Sequence, residues 1–144
     1  MEQMTDILDL ERYPIDRLDG AGARDLIARC RQELAAGGMF NLAGLVLPAA
    51  IERCSAELRP RLASESFTHE RRHNVYFLKE VAGLAPDHPA LRMVETINHT
   101  LCGDQIGNTI VNSIYEWTPL ADFLAAVMGK PKLYLMDDPL ARVN

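Results

Sequence analysis

Apolar residues recur at helical spacing in four stretches of the chain. In residues 21–36, Ala23, Leu26, Ile27, Cys30 and Leu34 share one face, and Arg24, Asp25, Arg31 and Gln32 take the other. Asp19 stands where an N-cap belongs, and Gly37 and Gly38 supply a left-handed stop. Pro48 opens a second helix in its first turn, with Ile51, Cys54 and Leu58 inward, and Pro60 is expected to end or kink it. A third helix is expected over 90–101 from Ala90, Val94, Ile97 and Leu101. Thr118 and Pro119 open the last, which buries Leu120, Phe123, Leu124 and Val127 and stops at Gly129, with Trp117 as a packing anchor.

The intervening pattern is not helical. Residues 8–18 read as an extended lead-in and 39–47 as a strand and turn. Residues 67–79 read as a polar loop passing into a strand at Asn74, Val75, Tyr76, Phe77 and Leu78, which favour β-structure. Loops follow at 81–89 and 103–108, and 109–115 is extended or loosely helical. Residues 132–136 read as a strand, Asp137, Asp138 and Pro139 as a turn, and 140–144 as the opening of another strand with an unpaired edge. The expected class is α+β, one domain over 1–144, with the character of the front part of a larger protein.

A chain of 144 residues can bury a real core, and 48% apolar with 24% charged residues is ordinary for a globular protein. The net charge of −5, with no basic run, argues against a nucleic-acid partner. No apolar stretch approaches the ~18–20 residues of a membrane span, and the acidic N-terminus lacks a secretory pattern. Cys30, Cys54 and Cys102 form no C-x-x-C pair, and the first two sit on apolar stripes, which fits a reducing cytoplasm.

Chemistry concentrates in residues 67–79. His69, Glu70 and His73 match the H-E-x-x-H pattern of zinc peptidases, with Glu95 as a conceivable further ligand. That motif works on a buried helix, and here Arg71 and Arg72 occupy the intervening positions, where two guanidinium groups would repel the ion. The alternative is that Arg71, Arg72, Asn74 and Tyr76 face an anionic small molecule. His88 and His99 read as surface or capping residues, and the glycines of 103–108 lack the strand and Lys-Ser/Thr of a phosphate loop.

Three segments carry a resemblance: G-G-M-F-N-L-A-G-L-V-L-P-A-A-I-E-R-C at 37–54, F-T-H-E-R-R-H-N-V-Y-F at 67–77, and Y-E-W-T-P-L-A-D-F-L-A-A-V-M-G-K-P-K-L-Y-L-M-D-D-P-L-A-R-V-N at 115–144. Together they resemble the N-terminal portion of ArpA-like iron(II)- and 2-oxoglutarate-dependent oxygenases, which hydroxylate or halogenate free amino acids. The resemblance implies N-terminal helices packed on the opening strands of a double-stranded β-helix (jelly-roll) barrel, most of it absent. It implies Fe(II) and 2-oxoglutarate as family cofactors, bound through a His-x-Asp or His-x-Gly motif, a distal His and an Arg. None of the four histidines precedes an acid at that spacing, so no cofactor is expected on this chain alone. What remains is substrate contact: Arg72 for a carboxylate, Asp138 for an ammonium group, and Arg142 and Asn144 alternating on one strand face. The expected partners are a small-molecule substrate in the complete protein and a second copy through an open sheet edge. A non-catalytic α+β interaction module and a zinc peptidase are the other readings.

Overall fold

The computed structural model describes residues 3–136. The order is a 3-10 turn at Met4–Asp6, helices α1 (Ala21–Gly37) and α2 (Pro48–Glu65), strand β1 (Phe67–His73), a 3-10 turn at Pro89–Leu91, strand β2 (Val94–Thr100), a 3-10 turn at Gly103–Gln105, and helices α3 (Ile110–Glu116) and α4 (Thr118–Met128). The class is α+β, and the described strands form one two-stranded antiparallel ribbon. No described helix is long and apolar enough to cross a membrane.

Local signals fix the helix ends. α1 and α4 stop at Gly38 and Gly129, both left-handed, with φ of 75° and 64°. Pro48 and Pro119 sit in first turns, where the missing N–H has no helical partner to lose. The Thr109 hydroxyl accepts from the Asn112 N–H and makes 110–116 a helix. Asp19 is not the cap of α1: Gly20 holds that position, and the Asp19 carbonyl accepts from Arg24. Pro60 does not end α2, which runs on to Glu65.

α1 packs on α4 and α2 on α3. The main core joins Leu26 and Cys30 of α1 to Ala50, Ile110, Phe123 and Val127. The lead-in, expected to be extended, is turn-rich and belongs to this core through Ile7, Leu8, Leu10, Tyr13 and Ile15. An isolated Leu8–Val46 bridge and the bonds Asp9 N–H to Leu45 O (2.8 Å) and Leu47 N–H to Ile7 O (2.9 Å) hold it there. That bridge is all that forms of the strand expected at 39–47, which Gly44 interrupts at φ 78°. Ile51, expected inward, is 54% exposed, because Ala50 and Leu58 take the inner face of α2. Trp117 packs against the main core, as expected of an anchor.

Three other expectations are corrected. The helix expected over 90–101 is a 3-10 turn followed by β2. Val94, Thr96, Ile97 and Thr100 are β-branched, and β1 offers a partner in full register from Phe67–Thr100 to His73–Val94. The strand expected from Asn74 lies one step earlier, at Phe67–His73. The Asn74 side chain accepts from the N–H groups of Tyr76 (3.0 Å) and Leu78 (3.3 Å), so those donors turn the chain instead of extending a ladder. Residues 132–136 also form no strand: the Met136 N–H donates to the Tyr115 hydroxyl at 2.8 Å. The turn expected at 137–139 and the strand expected at 140–144 lie outside the described residues.

Both roots of the ribbon are fixed. Only Ser66 separates α2 from β1, and its hydroxyl donates to the Leu62 carbonyl at 2.6 Å. At the other root Leu101 is buried with Leu58 and Ile106. Gln105 ties the two roots together. Its amide donates to the Glu65 carbonyl at 2.9 Å and accepts from the Cys102 N–H at 2.7 Å, while Arg61 donates to its backbone carbonyl.

Candidate anion-binding site

Strand pleating divides the ribbon into two faces. Thr68, Glu70 and Arg72 of β1 share one with His99, Ile97 and Glu95 of β2. His69, Arg71 and His73 lie on the other with Asn98, Thr96 and Val94. His69 and His73 are therefore roughly 13 Å apart along a strand rising about 3.3 Å per residue, and Glu70 points away from both. The H-E-x-x-H geometry needs one helical turn, and the strand removes it. Among the described residues, no group of three or more His, Cys, Asp or Glu is placed to hold a metal ion.

The tip is organised by Asn74, which is 1% exposed. Besides accepting from Tyr76 and Leu78, its amide donates to the carbonyls of Leu78 (2.5 Å) and Leu91 (3.5 Å), pinning the start of the 74–91 connection to its end. The turn carries Phe77 at φ 54°, an uncommon conformation for an aromatic residue. The Phe77 ring lies against the His73 imidazole, and the Arg71 guanidinium stands 5.7 Å from its centroid.

This folding brings Arg72 and Lys79 to one pocket of about 480 Å³, walled by Pro86, Leu91 and Met93. Among the described residues no carboxylate pairs with either cation, although Glu95 lies opposite Arg72 in register. Two unpaired cations beside an apolar wall suit an anionic ligand with an apolar body. A larger cleft, about 810 Å³, lies between the end of α2 and the ribbon root and contains Arg59, Leu62, Thr68, Ile97 and His99. Its one cation, Arg59, already donates to Ser55 at 2.7 Å, and Thr68 and His99 bond each other at 3.1 Å. The smaller pocket is the better anion site on chemistry.

Of the residues expected to touch a substrate, Arg72 lines this pocket, Asn74 is buried beneath the connection, and Tyr76 is half exposed at the tip and not among the lining residues. Asp138, Arg142 and Asn144 lie outside the described residues. Sequence reasoning missed Lys79, Leu91 and Met93. The one signal was Asn74, an Asx-turn former whose turn folds Lys79 back toward Arg72. No protein-family profile, curated protein or solved structure matches the chain.

Proposed function

We propose that the chain supplies part of the substrate-holding region of an Fe(II)/2-oxoglutarate-dependent oxygenase, a hydroxylase or halogenase acting on a small carboxylate such as a free amino acid. The observation that carries this reading is the pocket in which Arg72 and Lys79 stand over Leu91, Met93 and Pro86. A guanidinium holds a carboxylate by two parallel hydrogen bonds, and the apolar wall takes the rest of the molecule. The described residues do not fit the family's two-His, one-carboxylate iron site, so in this reading they bind and orient the substrate and the redox chemistry belongs elsewhere. The two-stranded ribbon would then be an opening element of the barrel, and the helices its cover.

The test is a titration of free amino acids and short-chain carboxylates, followed by chemical shifts of the Arg72 and Lys79 side chains. Binding is expected to weaken about tenfold or more in Arg72→Ala, consistent with loss of a charge-assisted bond, at unchanged melting temperature. No carboxylate binding at millimolar concentration, or equal binding by Arg72→Ala, would overturn the reading. A second reading, a non-catalytic interaction module, is favoured by the exposed run Val75, Tyr76, Phe77 and Leu78 at the tip.

A further inference from the structure

β2 is the edge of a ribbon with only two described strands, and Val94 and Ile97 on it are 48% and 57% exposed. A ribbon of two strands is marginal in water, and an open edge is a template for another strand. The sequence of β2 fits one occupant in particular, itself. Paired antiparallel about a twofold axis at Ile97, it sets Ile97 on Ile97, Glu95 on His99, Thr96 on Asn98 and Val94 on Thr100. The three central pairs match in character and no like charges meet, while Thr100, 3% exposed at the buried root, marks where the open edge ends. In-register neighbours extend the agreement across four strands, because Arg72 lies opposite Glu95 and Thr68 opposite His99. A row then runs Arg72, Glu95, His99 of the second copy, Thr68 of the second copy. β1 fails the same test: turned about its middle residue, it places Glu70 against Glu70.

From this complementarity we infer that two copies of the chain join through β2, making one continuous four-stranded antiparallel sheet. The contact is isologous, as a twofold dimer requires. The inference does not require the oxygenase reading: β2 lines no part of the anion pocket, and Arg72 enters only as the register neighbour of Glu95.

The experiment measures the oligomeric state of the intact chain by sedimentation equilibrium at about 10–500 µM, a range chosen because a contact through one seven-residue strand is weak. A concentration-dependent dimer is expected. In Ile97→Cys the two thiols face each other on the axis, within the Cα separation a disulfide spans, so oxidation should give a covalent dimer linked at position 97. Ile97→Lys should remove the dimer by setting two ammonium groups together. If that variant fails to fold, the cysteine variant still decides. A monomer across the whole range overturns the inference. So does a dimer that does not cross-link at 97, or one that cross-links in Glu70→Cys instead.

Discussion

The His73 imidazole lies flat on the Phe77 ring, with centroids 4.6 Å apart and planes 10° from parallel. The Nδ1 of the same ring lies 3.1 Å from the Asn74 carbonyl. Both contacts assign this histidine to the turn at the ribbon tip. Zinc added to the chain is therefore expected to give no one-to-one complex by calorimetry, and His73→Ala should loosen the tip. Stoichiometric zinc that His73→Ala abolishes would return the peptidase reading.

Asn74 makes the tip, so its loss should be felt there first. Asn74→Ala strands the N–H groups of Tyr76 and Leu78 and the Leu78 carbonyl. Each stranded group costs roughly 1–3 kcal/mol where water cannot reach it. Hydrogen exchange should speed up across 74–91 while α1 and α4 keep their protection. Unaltered exchange at Leu78 would show that the side chain does not hold the turn.

Phe123 and Ile51 were both expected inside. Phe123 is fully buried and meets Phe40 edge-on at 6.3 Å, whereas Ile51 faces solvent. Phe123→Ala should cost about 3–5 kcal/mol, and Ile51→Ala within about 0.5 kcal/mol, in urea unfolding. Comparable losses would place the helix faces wrongly.

Cys30 and Cys54 give a pH dependence. Burial pushes the Cys30 thiol up, with Glu33 adding to the shift and Arg29 opposing it. Burial also raises Cys54, reinforced by Glu57 and opposed by a backbone hydrogen bond at Val111. A raised thiol pKa means the folded chain keeps a proton that the unfolded chain has released. The stability they contribute is complete below the unfolded value, about 8.5, and is lost as pH rises through the folded values. The urea midpoint should fall as pH rises above about 8.5, and the slope should flatten in Cys30→Ala. An identical slope in the variant would remove Cys30 as its source.

The contrast between α4 and β2 shows what the sequence could reveal. Pro119 and Gly129 act through their own backbones, so both ends of α4 were legible without a partner. Val94, Ile97 and Leu101 satisfy a helical face as well as a strand, and only pairing with β1, across a connection of twenty residues (74–93), decides between them. The lead-in was misjudged for a similar reason: nothing local to Leu8 or Ile15 announces that α1 and α4 will close over them. At the candidate site, Arg72 stood out by charge, but Leu91 and Met93 became its neighbours only through the turn that Asn74 sets.

The Gln105 tie gives the ribbon a mechanical character. Its bond to Glu65 and the Arg61 donation clamp β2's root to the last turns of α2, while Ser66 leaves β1 no slack. The ribbon is a cantilever welded to a helix. A small rotation of α2 would swing the Asn74 tip through a far wider arc, carrying Arg72 and Lys79 with it.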